Sequence, residues 1–138
     1  MADGVRLGSA VMFVQDLNRS VSFYTEVLAL EEVDRSTTAA LLVSAAGTQL
    51  ILRAMGSGAA HPLGSLGVQY VVWTAAGPAD LDRSERVLKE RSAHQQRRSS
   101  GGVTVVEGRD PDDLPVLVAY PGPDQTPLHE LPMRIYGW

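Results

Sequence analysis

Five residues repeated almost letter for letter constrain this chain more than any other feature. Asp16-Leu17-Asn18-Arg19-Ser20 returns as Asp80-Leu81-Asp82-Arg83-Ser84, matching at four of five positions 64 residues on. Each copy follows an apolar, strand-like run and opens a stretch with apolar residues at helical spacing. A motif and an element order that recur together predict a duplicated half-domain. Each half is too small to hide the apolar face of its own sheet, so two packed halves are expected to enclose a shared cavity.

The elements follow from periodicity. Residues 7–15 (LGSAVMFVQ) read as a strand. Asp16 is an expected N-cap, because its carboxylate can accept the free amide hydrogens of a first helical turn. Val21, Tyr24, Val27 and Leu28 then give an amphipathic helix to about Leu30. Strands are expected at 31–37, 40–45 and 48–52, the last two parted by the turn signal Ala46-Gly47. Residues 54–66 are small and Gly-rich and read as a linker. The second half repeats the order: strand 67–74, a helix carrying Leu81, Ser84, Val87, Leu88 and Arg91, a weak strand 95–100, and strands 103–109 and 115–120 around the turn Asp110-Pro111-Asp112-Asp113. The fold class is therefore α+β, a single domain of two βαβββ modules at about 7–53 and 67–121, with a C-terminal tail 122–138. Leu131, Met133, Ile135, Tyr136 and Trp138 make that tail too apolar to hang free. It is expected to pack on the body, on a partner subunit or over the cavity.

Composition removes several functions. A chain of 138 residues can bury a real core, and a net charge of −4 argues against a nucleic-acid binder, which needs a broad basic face. The absence of cysteine excludes a disulfide scaffold, a zinc finger and a thiol nucleophile. No run is apolar for long enough to span a membrane. The opening MADGVRLGSA lacks the basic and apolar regions of a secretory signal, so a cytoplasmic location is expected. No GxSxG, HExxH, P-loop or GxGxxG pattern occurs.

Val14-Gln15-Asp16-Leu17 with Ser20 and Phe23-Tyr24, then Leu28-Ala29-Leu30, and later Arg109-Asp110-Pro111-Asp112-Asp113 with Val116-Leu117-Val118, carry a resemblance. In these pieces the chain resembles the vicinal oxygen chelate superfamily, which includes glyoxalase I, extradiol dioxygenases and bleomycin resistance proteins. The resemblance implies paired βαβββ modules whose curled mixed sheets surround a shared pocket, and a homodimer.

The departures from that pattern point to function. The resemblance implies a metal ligand seven residues before the Asp of the first motif, where this chain has Ser9. A second ligand is implied on the first strand of the second module, at Gln69 or Tyr70. The last, a Glu in the family, falls on Leu117. One amide or phenol, a hydroxyl and a hydrocarbon do not make the three or more N, O or S donors a divalent ion needs. A register slip brings no ligand, since the neighbours are Gly8, Ala10, Val116 and Val118. No metal and no other cofactor is expected.

Strand alternation gives the pocket lining. With Ser9 inward, Val11, Phe13 and Gln15 follow. With Gln69 inward, Val71 and Trp73 follow; with Tyr70 inward, Val72 and Thr74 do. The first register is preferred, because Val68, Tyr70 and Val72 would then serve the helix side. Leu117 completes a mostly apolar, aromatic-walled site, and His61 in the linker can reach its mouth. His94 and His129 are expected on the surface, and Arg91, Arg97 and Arg98 as a solvated basic edge. The expected function is metal-independent sequestration of a hydrophobic aromatic small molecule, as the resemblance to the antibiotic-holding bleomycin resistance group implies. The alternative is a metal-free enzyme of natural-product metabolism using Ser9, Gln69, Tyr70 or His61 for acid–base work. A third reading is a metal lyase or dioxygenase with relocated ligands.

Overall fold

The computed structural model describes residues 4–55 and 67–122. His61, His129, nearly all of the linker and the tail from 123 onward lie outside the described residues. The chain divides into two units at the 60/61 boundary. In the first, β1 (Ser9–Val14) leads to α1 (Leu17–Val27), β2 (Glu31–Arg35), β3 (Ala39–Val43) and β4 (Gln49–Ala54). In the second, β5 (Val71–Thr74) leads to α2 (Pro78–Glu90), β6 (His94–Ser100), β7 (Val103–Arg109) and β8 (Pro115–Tyr120). The expected element order holds throughout.

The duplication extends to topology. The sheets run β1-β4-β3-β2 and β5-β8-β7-β6, each with its first strand parallel to its last and the remaining pairs antiparallel. Each sheet is open, with two edges. Even the irregularities repeat: the β2–β3 ladder shifts between Glu32 and Asp34, and the β6–β7 ladder between His94 and Gln96. The helices bury corresponding positions. Leu17, Ser20, Phe23 and Tyr24 of α1 correspond, 64 residues on, to Leu81, Ser84, Val87 and Leu88 of α2, and all eight are buried.

The repeated Asp does two different jobs. Asp16 is the N-cap of α1, in extended backbone, with Oδ1 accepting from Arg19 N at 3.0 Å. In α2 the cap is Gly77, and Pro78 sits at the start, where its missing N–H costs nothing. Asp80 therefore lies inside the first turn, and its carboxylate reaches back to accept from Ala76 N at 3.1 Å. β5 is also shorter than the expected 67–74. Its parallel partner β8 begins at Pro115, which has no N–H to lend the ladder, so pairing starts at Val71 opposite Val116.

In unit 1 the core lies between α1 and one sheet face, where Leu42, Leu50 and Leu52 are fully buried with Tyr24 and Val27. Phe23 and Tyr24 meet edge to face at 5.1 Å between centroids. Full burial of one such Leu or Val stabilises by roughly 1.5–3 kcal/mol relative to exposure. In unit 2, Leu81, Ser84, Val87 and Leu88 of α2 are buried, and Val106, Val116 and Val118 of the sheet are buried with them.

A charge cluster ties α2 to β6, and it corrects two expectations. Arg97 is not a free basic edge: its Nη1 lies 2.9 Å from Asp82 Oδ1 and 2.8 Å from Glu85 Oε1. His94 is half-buried, with Nε2 2.9 Å from Glu85 Oε2. The partners are remote in sequence and meet only because β6 returns beside the helix. Lys89 adds a looser contact to Glu85 at 3.8 Å. Burial pushes the Glu85 carboxyl up, but hydrogen bonds to Arg97 and His94, with the charges of Lys89 and Arg97, outweigh it and hold the group below its ordinary value of 4.5. A carboxyl depressed in the folded state stabilises above its unfolded pKa, and that gain is lost as pH falls through the folded value. Thermal unfolding is expected to move to lower temperature as pH drops below about 4.5, and Glu85→Gln is expected to flatten that part of the profile.

Candidate functional site

Each sheet has one face on its helix and one turned away from it, and the site residues expected from sequence sort between these faces. On the first sheet, cross-strand partners on the far face form three rows: Ser9–Gln49–Val43, Val11–Ile51–Leu41 and Phe13–Arg53–Ala39. The alternating residues Ala10, Met12 and Val14 join Leu50 and Leu52 on the α1 side, so Ser9, Val11 and Phe13 share one face as the alternation required. That face is apolar and open: Val11 is 57% exposed and Phe13 65%, beside half-buried Leu41, Val43 and Ile51.

On the second sheet the preferred register proves wrong. Val72 is the partner of Leu117, and Trp73 of Val118. Tyr70 and Val72 pack against Leu117, Val103, Val105 and Ala119 on the face away from α2. Trp73 and Val71 share the opposite face with Val118, Val116 and Gly108, where a Cβ on Gly108 would meet Leu88 of α2. Gln69 does not join the Leu117 face either; its Nε2 donates to Gly67 O at 2.9 Å. A slip of one residue inverts every side chain of a strand, and only pairing to β8 sets the register. Of the expected residues, Ser9, Val11 and Phe13 stand together on one sheet, Tyr70 and Leu117 on the other, and His61 lies outside the described residues.

One polar residue on the second face was not singled out from sequence. Glu107 is the cross-strand partner of Leu117 on one side and of Gln96 on the other, completing the row Val72–Leu117–Glu107–Gln96. It is only 5% exposed. Gln96 Nε2 donates to its Oε1 at 2.9 Å, and Arg109 Nη2 stands 3.9 Å from its Oε2. The signal was present in the alternation Val103, Val105, Glu107, which puts the carboxylate on the apolar side of its strand.

A divalent metal does not fit the positions that the resemblance implies for it. Leu117 has no donor, the Ser9 hydroxyl is neutral and exposed, and Tyr70 sits in an apolar cluster. Among the described residues, no three His, Asp or Glu side chains converge on a point that could hold an ion. A depression of about 430 Å³ along α2 is lined by Asp82, Glu85, Arg86, Lys89 and Glu90, charges largely paired with their neighbours and unsuited to an apolar guest. No helix among the described residues is long and apolar enough to cross a membrane.

Comparison with known proteins agrees with this architecture. Residues 6–115 match the sequence model of the Glyoxalase/Bleomycin resistance protein/Dioxygenase superfamily. Among solved structures, the chain is similar to a glyoxylase/bleomycin resistance protein/dioxygenase domain from Frankia sp. EAN1pec, with 24% identity, a TM-score of 0.71, and coverage of 86% of this chain and 98% of that one. It is similar to a lactoylglutathione lyase from Agrobacterium tumefaciens, with 18% identity, a TM-score of 0.65, and coverage of 85% and 94%. The oxidase ChaP-H1 is likewise similar, with 18% identity, a TM-score of 0.68, and coverage of 86% and 100%. At these identities the likeness is one of fold. No curated protein matches the chain.

Proposed function

Because the chain belongs to the glyoxalase/bleomycin resistance protein/dioxygenase superfamily, we propose that it binds a hydrophobic, aromatic small molecule without a metal ion and holds it unchanged, in the manner of a resistance protein. The observation that carries this reading is the open apolar face of the first sheet. Phe13 and Val11 are large, exposed and adjacent, and they are backed by a core that does not need them. Apolar area removed from water contributes roughly 25 cal/mol per Å², and an aromatic guest on Phe13 adds about 0.5–1.5 kcal/mol of ring contact. Ser9, Gln49 and Arg53 border the face and supply a few polar contacts, the usual mixture of a small-molecule site.

Phe13→Ala tests this. Titrated with 1-methylnaphthalene, the variant is expected to bind about tenfold more weakly than the wild type, which corresponds to about 1.4 kcal/mol. Its unfolding free energy is expected to change by no more than about 0.5 kcal/mol, since the ring is exposed. Equal affinity in the two proteins would remove the first-sheet face from the site.

A second reading is a metal-free enzyme on the same scaffold, and Glu107 favours it, since a buried carboxylate opposite Leu117 is a candidate proton acceptor. Recovery of the bound compound with altered mass would select that reading over storage.

A further inference from the structure

Three strands of the first sheet carry a single charge. β1 (SAVMFV), β3 (AALLV) and β4 (QLILRA) together hold Arg53 and no other ionisable side chain. Arg53 is exposed, and the register sets it between Phe13 on β1 and Ala39 on β3, in the far-face row Phe13–Arg53–Ala39. Its neighbour on that face along β4 is Ile51. A guanidinium thus stands on an apolar surface beside the exposed ring of Phe13.

Arginines on other strands are placed differently. Arg35 lies 2.8 Å from Glu32, Arg97 2.8 Å from Glu85 and Arg109 3.9 Å from Glu107. Arg53 has no hydrogen bond or ion pair among the described residues. The acids nearest to it by register, Glu31 and Asp34, are the partners of Val43 and Leu41. They lie on β2, two strand spacings or roughly 10 Å from β4. Phe13 is on the opposite edge strand, so ring and cation adjoin at the end of the sheet away from those acids.

The second unit shows that the fold does not require this charge. Arg53 and Ala119 are each the fifth residue of the strand parallel to the first. The matching row there reads Thr74–Ala119–Val105, with Ala119 and Val105 buried. A methyl group serves at this place in one unit. In the other, a guanidinium without a partner stands next to an exposed ring, and the two complement a guest with an apolar body and an anionic rim.

We propose that Arg53 sets the charge preference of the first-sheet face, which takes aromatic carboxylates: the arene lies on Phe13 and Val11, and the guanidinium donates to the carboxylate oxygens. This rests on the reading of that face as a binder of aromatic small molecules, and it names their class. Arginine suits the role because its planar fork matches both oxygens of a carboxylate. Neighbouring strands lie about 4.8 Å apart, so a ring seated over β1 can carry a carboxylate on its rim toward β4. Ala39, on the other side of Arg53, offers no competing acceptor from its side chain.

The test compares 1-naphthoate with 1-methylnaphthalene, which share a ring system and differ in the carboxylate. Both are titrated near neutral pH into the wild type, Arg53→Gln and Phe13→Ala, with sedimentation of each protein measured alongside. Arg53→Gln is expected to weaken naphthoate binding about fivefold, the upper end for an exposed ion pair, and to leave the hydrocarbon's affinity unchanged. Molar salt is expected to erase that difference by weakening naphthoate in the wild type alone. Phe13→Ala is expected to weaken both probes. If the hydrocarbon binds through Phe13 but Arg53→Gln leaves naphthoate unchanged, or weakens both probes alike, the inference falls alone. If neither probe binds the wild type, it falls together with the aromatic-ligand reading; a dimer that Phe13→Ala separates would then make a second copy of the chain the occupant of the face.

Discussion

Replacing Gly108 with alanine is expected to lower the unfolding free energy by about 2–3 kcal/mol, and replacing it with valine by more. The cause is space. A Cβ at this position would lie 2.6 Å from Leu88 Cδ2 and 2.7 Å from Ala93 O, both far inside van der Waals contact. The leucine can rotate away, but the carbonyl cannot: Ala93 O accepts from Arg109 N at 2.9 Å as β6 begins beside β7. Glycine in a strand often marks such a close backbone approach. The first unit makes the contrast, because Leu42 occupies the matching place, opposite Leu50, and is fully buried there. The second unit brings its helix end and the β6 start closer to the sheet and gives up that side chain. Denaturant melts of Gly108→Ala check this; an unchanged midpoint would mean that β6 leaves Ala93 elsewhere.

Leu88→Ala is expected to cost about 2–5 kcal/mol, the range for deleting a buried leucine whose surroundings collapse only in part. Leu88 is fully buried and fills the space above Gly108. The two substitutions share a contact and should not add. Gly108→Ala is expected to cost less in the Leu88→Ala background, because one of its two clashes has gone, and to retain a cost from Ala93 O. A double-mutant cycle on unfolding free energies reads the coupling. Strict additivity would show that Leu88 and Gly108 do not touch.

Much of the fold could be read from the letters, for identifiable reasons. The repeated Asp-Leu-x-Arg-Ser fixed where each helix turns its face, since its Leu and Ser are buried in both copies. It did not fix where each helix starts, because Pro78 adds residues ahead of Asp80 and changes that residue from cap to first-turn acceptor. The site was half legible. Alternation put Ser9, Val11 and Phe13 on one face, as the pairing of β1 with β4 does, since the burial of β1 is one-sided. It failed on β5, a strand of four residues with apolar side chains on both faces, where the parity comes from pairing with β8. Glu107 was legible by parity with Val105. Its neighbours Gln96 and Leu117 lie on other strands, and only the register shows that they form one row. The Glu85–His94–Arg97 cluster depends on β6 returning to α2, which no local signal carries.

The central claim is that the apolar face of the first sheet, carrying Ser9, Val11 and Phe13, binds an aromatic guest without an ion. The direct measurement is the affinity of the purified protein for 1-methylnaphthalene before and after exhaustive chelation, with metal content determined on the same samples. An unchanged dissociation constant at negligible metal content is the predicted result. A stoichiometric divalent ion whose removal abolishes binding, and whose return restores it, would contradict the account.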